Sequence, residues 1–348
     1  MGSTRKHVLE LDVLRWIAAV FMIVNHAGYR LLGADDATTG LVGALVFIGS
    51  FAPVLFYFST GFGVAMSVNA TGRAPALGST FVKAMLLVAA DQLMFWRTGS
   101  AWGINFLAFI GLSSLLVSVI ARSRRAVPIC IAMAVGLLAL RYGVGPRAFQ
   151  ASGGGSFWGW VCGVQGIQDL PYPPTPWLVY PLLGFALGRA YAPVHPDVAG
   201  RRNRWLGSGS ASGLAMFAAA GALFVAGAIF FRWGTVSVAY FVLSLGVLAA
   251  VGVVSLALTA ASARVAARCS LQGVASFAVI PIHYGVLELA ATASGRAISW
   301  PAFLMALVPI CVVSLWLSSR FATAVTAGIA GAGATPAAAW LGGAALVS

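Results

Sequence analysis

Apolar runs of about 17 to 25 residues recur along the chain, each closed by a short charged or Pro/Gly-rich break. The recurrence predicts transmembrane helices over 12 to 33, 41 to 68, 80 to 96, 102 to 121, 126 to 142, 176 to 192, 211 to 231, 235 to 261, 271 to 292 and 300 to 319. That is ten spans. A tail over 321 to 348, "FATAVTAGIAGAGATPAAAWLGGAALVS", is Ala/Gly-rich, only weakly apolar and interrupted by Pro336, so it is an eleventh span at most. Because the breaks are short, the expected architecture is all-α, a polytopic membrane helical bundle formed by residues 1–348 as a single integral-membrane domain.

Composition agrees with the pattern. Of the 348 residues 60% are hydrophobic and only 8% charged, against roughly 25% charged in soluble domains. The net charge of +13 does not point to nucleic acid, because the basic residues sit in the breaks between apolar runs and leave no basic domain. Their distribution instead orients the chain. Fourteen Lys and Arg fall on the side of the N-terminus and six on the other, which predicts a cytoplasmic N-terminus; the expected location is multi-pass in a bacterial plasma (inner) membrane. Trp96, Trp102, Trp233 and Trp300 then gather at the outer interface. The leading "MGSTRKHVLELDVLR" precedes an apolar run without a small-residue cleavage site and is expected to be a retained first span. Cys130, Cys162, Cys269 and Cys311 match no ligand spacing for zinc or iron–sulfur, so no metal is expected.

Candidate chemistry lies in the few ionisable residues that these spans retain. "LDVLRWIAAVFMIVNHAGYR" carries Asp12, Arg15 and His26, and each such group costs roughly 2.5 to 3.5 kcal/mol on insertion scales. At 100° and 1.5 Å per residue Arg15 and His26 share a helix face to within about 20° and stand roughly 16 Å apart along it. Asp12 is one turn from Arg15. On the ninth span Ser276 and His283 are seven residues apart and share a face, with Pro281 expected to bend the helix between them; Glu288 points elsewhere. Asp91 and Asn105 are secondary candidates. Arg15 alone would read as a snorkelling anchor and a lone buried histidine as a packing residue. Two deep histidines with an aligned arginine point instead to a site.

The longest connection, about 143 to 175, contains "ASGGGSFWGWVCGVQGIQDLPYPPTP". Trp158, Trp160 and Tyr172 there, with Asp169, are candidates for stacking on and hydrogen bonding a sugar, or else the aromatics anchor a re-entrant loop at the interface. "GFALG" at 184 to 188 is a small-xxx-small pattern for close helix packing. "GSGSASG" at 207 to 213 lacks the Lys-Ser/Thr pair of a phosphate loop and reads as a linker.

"LDVLRWIAAVFMIVNHAG" resembles the first helix of the acyltransferase 3 family and its relatives in the transmembrane acyltransferase superfamily, which includes the heparan-α-glucosaminide N-acetyltransferases. The shared features are a D-x-x-R start and ten residues between the arginine and the histidine, here Arg15 and His26. "FAPVLFYFSTGFGVAMSV", "PYPPTPWLVYPLLGFALGR" and "VASFAVIPIHYGVLEL" are similar to later helices of that family, so the resemblance covers most of the chain. "DVLR" replaces the common "DGLR", and "VNHAG" leans toward the N-acetyltransferase branch.

The resemblance implies a membrane-embedded acyltransferase domain that moves an acyl group, acetyl being expected, from cytoplasmic acyl-CoA to a hydroxyl or amine of a carbohydrate or glycolipid acceptor in a cell-envelope glycan. Arg15, oriented by Asp12, would pair with the CoA phosphates. His26 would meet the thioester as general base, and His283 and Ser276 would bind the acceptor or the developing oxyanion. A rival reading is a proton-coupled secondary transporter in which Asp91, Glu288 and the histidines relay protons. No inverted repeat or matched pair of broken helices supports it, and transport would leave the thioester intact.

Overall fold

A computed structural model describes residues 8–96, 104–144, 147, 150–151, 172–191, 238–295 and 297–331. Among the described residues the regular structure is helical, with no strand. The helices are α1 (Leu9–Leu31), α2 (Ala34–Thr38), α3 (Gly40–Gly49), α4 (Ala52–Thr71), α5 (Leu77–Phe95), α6 (Phe106–Ile120), α7 (Ala126–Ala139), α8 (Pro174–Trp177), α9 (Val179–Tyr191), α10 (Val238–Ala261), α11 (Ala263–Arg268), α12 (Gly273–Ser294) and α13 (Trp300–Gly331). A π-helical turn, Leu140–Val144, extends α7.

Seven stretches of the described chain are long and apolar enough to cross a membrane: Leu9–Leu31, Gly40–Thr71, Leu77–Phe95, Ala126–Val144, Val238–Ala261, Gly273–Ser294 and Trp300–Ala327. The protein is therefore an all-α, polytopic bundle, with seven such spans among the described residues where the sequence pattern predicts ten along the whole chain. Two of the other three expected spans are shorter helices, α6 with 15 residues and α9 with 13. At 1.5 Å per residue α6 covers roughly 22 Å, less than the roughly 30 Å hydrocarbon core. The expected span 211 to 231 and most of the tail lie outside the described residues. The second expected span is divided into α3 and α4, because Pro53 in the first turn of α4 has no N–H to continue a helix from Gly49.

The chain forms two compact units. One comprises Met1–Leu11 with Phe56–Val265, the other Asp12–Leu55 with Ala266–Ser348. Within lipid there is no hydrophobic drive between helices, so close packing depends on small residues. In the first unit α4 and α9 cross at glycine. A Cβ on Gly61 would collide with the Pro181 carbonyl oxygen, and one on Gly184 with that of Phe58; Gly188 meets Phe62 and Ala65. The small-xxx-small reading of residues 184 to 188 is thus borne out. Asn69 donates to the Gly188 carbonyl at 3.0 Å and accepts from Arg189, closing the same seam. α5 and α6 form a hairpin whose turn is held by Asp91, described below.

In the second unit α1 and α12 run parallel. The Leu271 N–H donates to the Asp12 carbonyl at one end (3.0 Å) and the Ile298 N–H to the Leu31 carbonyl at the other (2.8 Å). α12 stays a single helix through Pro281 and ends at Gly295, whose left-handed φ of 65° suits glycine. α3 lies antiparallel to α1: Gly28 leaves room for Val46, and Gly49 sits against the Phe21 carbonyl. Across this contact Asn25 Nδ2 donates to the Val46 carbonyl at 2.9 Å, which fixes the rotation of α1 one residue before His26.

Gly61→Ala should lower stability by about 1 to 3 kcal/mol, because the atom in the way is backbone and cannot swing aside. Gly136→Ala, on the open face of α7 with nothing within 4 Å, should be neutral or slightly stabilising. Thermal unfolding in detergent measures both.

Candidate functional site

The second unit brings together most of the residues singled out by sequence. His26 on α1 and His283 on α12 meet directly, Nδ1 of His26 lying 2.7 Å from Nε2 of His283 with the ring planes 21° apart. His283 is fully buried and His26 half-buried. The second nitrogen of His283, Nδ1, lies 2.8 Å from the Val279 carbonyl one turn back on its own helix.

These contacts assign the protons. A carbonyl oxygen only accepts, so Nδ1 of His283 carries a hydrogen, and in the neutral ring Nε2 is then a lone-pair acceptor. Nδ1 of His26 must donate to it. Neutral His26 is left with its lone pair on Nε2, which makes no hydrogen bond among the described residues. The chain Val279 carbonyl, His283, His26 therefore runs one way and ends in a basic nitrogen. It has the logic of a triad, in which the partner of the base selects its tautomer.

Asp12 and Arg15 pair at 3.3 Å at the start of the same helix and are both buried. The backbone carbonyl of Asp12 also receives the Leu271 N–H from the segment leading into α12. Ser276 is buried as expected on the His283 helix, but its hydroxyl donates to the Gly273 carbonyl at 2.7 Å. That hydrogen is committed to its own helix.

Two features of the site were missed in the sequence. Tyr284 packs its ring against both histidines, 4.9 Å from His26 and 4.4 Å from His283 between centroids. Its position next to His283 was the available signal, but adjacent helical residues normally point apart. Arg30 and Glu288 clasp α1 to α12 through bonds of 2.9 and 2.8 Å, both side chains being exposed. Glu288 does lie well around the helix from His283, and the length of the arginine side chain closes the gap.

Asp91 and Asn105 belong to the first unit, and the Asp91 carboxylate has a structural explanation. Asp91, fully buried, accepts the backbone N–H groups of Asn105 (3.1 Å) and Leu107 (3.0 Å). It supplies from α5 the acceptors that the first turn of α6 lacks, a favourable place for a carboxylate. Trp158, Trp160 and Asp169 lie outside the described residues. Among the described residues no three His, Cys, Asp or Glu side chains gather as a metal site would require.

The family model of the heparan-alpha-glucosaminide N-acetyltransferase catalytic domain matches residues 7–208. The matched region contains Asp12, Arg15 and His26, while His283 lies beyond it. Neither a curated protein nor a solved structure gives a significant match. With more than half its length matched, an all-α membrane bundle around it, and an arginine and histidine on its first helix, the chain belongs to the family of the heparan-alpha-glucosaminide N-acetyltransferase catalytic domain.

Proposed function

We propose that the protein transfers an acyl group, acetyl by family analogy, from cytoplasmic acyl-CoA to an amine or hydroxyl of a sugar in a cell-envelope glycan or glycolipid. The observation that carries the reading is the one-way hydrogen-bond chain ending at Nε2 of His26. That nitrogen takes the proton of the acceptor amine or hydroxyl as its heteroatom attacks the thioester carbonyl. The tetrahedral intermediate collapses, the C–S bond breaks, and the proton on Nε2 passes to the departing thiolate. His283 keeps Nδ1 of His26 protonated and directed away from the reacting atoms. This orienting role fits the direct bond between the rings better than the acceptor-binding or oxyanion role that the sequence suggested.

Arg15 is the residue proposed to hold the donor. Its guanidinium can grip a phosphate by two parallel hydrogen bonds, and the roughly 16 Å of helix between it and His26 is comparable to an extended pantetheine arm. Asp12, 3.3 Å away, steadies it. With the N-terminus in the cytoplasm, Arg15 faces the compartment that contains acyl-CoA and His26 lies deeper, toward an acceptor on the other side. The whole chain acts in this reading as one integral-membrane acyltransferase domain.

His26→Gln should reduce acyl transfer by about 10² to 10⁴-fold while leaving a folded protein that still binds acyl-CoA. His283→Ala should lower kcat with little change in the acceptor KM, and the double variant should be scarcely worse than His26→Gln alone, because the pair acts as a unit. Rescue of His283→Ala by high acceptor concentration would return it to an acceptor-binding role. Consumption of acyl-CoA thioester by purified protein also separates this reaction from transport.

Arg15→Lys should weaken acyl-CoA binding although the charge is kept, since a planar fork becomes a point charge. Calorimetry with a non-hydrolysable acyl-CoA analogue measures it, and unchanged affinity would leave Arg15 as an interfacial anchor.

Orientation is testable in a variant with its four cysteines replaced. Asp36→Cys in the exposed α2 should react with an impermeant thiol reagent on intact cells, and Arg124→Cys, in the turn between α6 and α7, only after permeabilisation. The reverse pattern would place the donor residue on the wrong side of the membrane.

A further inference from the structure

Among the described residues of the first unit, the Tyr57 hydroxyl and the Trp177 indole nitrogen, like the Asn105 amide nitrogen, are buried without a hydrogen bond. Tyr57 is 0% and Trp177 2% exposed. They come from different elements, α4 and α8, yet their rings meet edge to face with centroids 5.9 Å apart. Tyr172 contacts both, at 5.6 and 5.2 Å. Phe106 and Phe109 of α6 complete the cluster against Tyr57, at 5.3 and 4.6 Å. Its frame is built rather than incidental, because Asp91 binds the backbone on either side of Phe106, at Asn105 and Leu107.

An unsatisfied buried donor is costly, typically by more than a formed hydrogen bond contributes, and two in one aromatic cluster call for an explanation. Their chemistry limits what could satisfy them. Indole N–H only donates, so an occupant must present an acceptor; the tyrosine hydroxyl can give or take. Aromatic rings offer faces suited to C–H surfaces. Among the described residues no cation stands over any ring of the cluster, and the charge built into its frame is the Asp91 carboxylate, which disfavours a phosphate or carboxylate ligand. The fitting occupant is neutral, rich in oxygen and carries flat C–H faces.

We propose that Tyr57 and Trp177 form a pyranose-binding subsite, in which they hydrogen bond ring hydroxyls and Tyr172, Phe106 and Phe109 supply the aromatic surround. That the subsite binds a sugar does not depend on the transferase reading of the preceding subsection. The orientation proposed there turns the end of α5 and the starts of α6 and α8 away from the cytoplasm, the side from which an envelope sugar arrives.

The test uses the purified full chain in detergent without acyl-CoA, titrated with the methyl glycosides of glucose, galactose and glucosamine and followed by saturation-transfer NMR. At least one glycoside should bind. Tyr57→Phe and Trp177→Phe retain an aromatic ring and lose one polar group; each should weaken the bound glycoside about three- to thirty-fold. Thermal stability without sugar should be unchanged or higher for Tyr57→Phe, since a buried unpaired group is removed, and lower for Trp177→Phe, where the smaller ring leaves a cavity. Acyl-CoA affinity, measured on the same samples, should not change. Absence of binding by all three glycosides would overturn the proposal. So would variants that lose stability while retaining sugar affinity, which would assign the two groups to the fold through buried water, or variants that weaken acyl-CoA instead, which would assign them to the pantetheine arm. Sugar binding in a protein that consumes no acyl-CoA would sink the transferase reading alone.

Discussion

The hydrogen bond between His26 and His283 is the constraint around which the second unit is arranged, although it contributes little to holding that unit together. Hydrogen bonds between membrane helices average about 0.6 kcal/mol, because the separated helices also find partners. Packing and the backbone contacts at both ends of α1 and α12, Leu271 to Asp12 and Ile298 to Leu31, hold the pair at least as firmly. What the bond determines is which nitrogen of His26 is basic. Rotation of either helix by one residue would swing its imidazole by about 100° and lose that assignment. The surrounding contacts guard against it: Asn25 pins α1 to the Val46 carbonyl, and Arg30 joins Glu288 beyond the histidines.

Much of this was legible in the sequence, for reasons that also mark where legibility ends. Run length reports the spans because backbone groups in hydrocarbon must be satisfied within a helix. The alignment of Arg15 and His26 follows from helix geometry alone. The bond to His283 does not, since it joins residues 257 apart and periodicity says nothing about which helices become neighbours. The two histidines are therefore expected from sequence to belong to a site, with roles divided between base and acceptor, while their direct contact is not foreseen. Asp91 illustrates the same limit from the structural side. A carboxylate on an apolar helix resembles a functional charge, and its use for the first turn of α6 appears only once the hairpin brings residues 14 and 16 positions away to it. The division of the second span reflects the missing N–H of Pro53, and the start of α6 reflects its capping by Asp91; a hydropathy pattern registers neither.

In the proposed reaction, a histidine stands where soluble triads place a carboxylate, and the solvent accounts for it. A buried carboxylate in or near hydrocarbon needs a charged partner or several donors to offset its desolvation. Asp91 meets that demand with backbone N–H groups and Asp12 with Arg15. A neutral imidazole orients the base with a single hydrogen bond at each nitrogen and brings no net charge into the bundle. The compromise is electrostatic, because a neutral partner stabilises a protonated His26 less than an aspartate would.

In the proposed reaction that compromise is tolerable. The imidazolium need persist only until the C–S bond breaks, and the leaving group is a thiolate, far less basic than an alkoxide or amide anion and so in less need of a proton. A weakly supported imidazolium is also a stronger acid, so return of the proton to the thiolate becomes easier as its removal from the acceptor becomes harder. The arrangement should therefore favour acceptors that surrender a proton late, after attack has begun. An amine fits this better than a hydroxyl, since its lone pair attacks before the N–H must be lost, and the nitrogen becomes acidic only in the tetrahedral intermediate. The neutral partner of the base thus agrees with the N-acetyl chemistry in the name of the family.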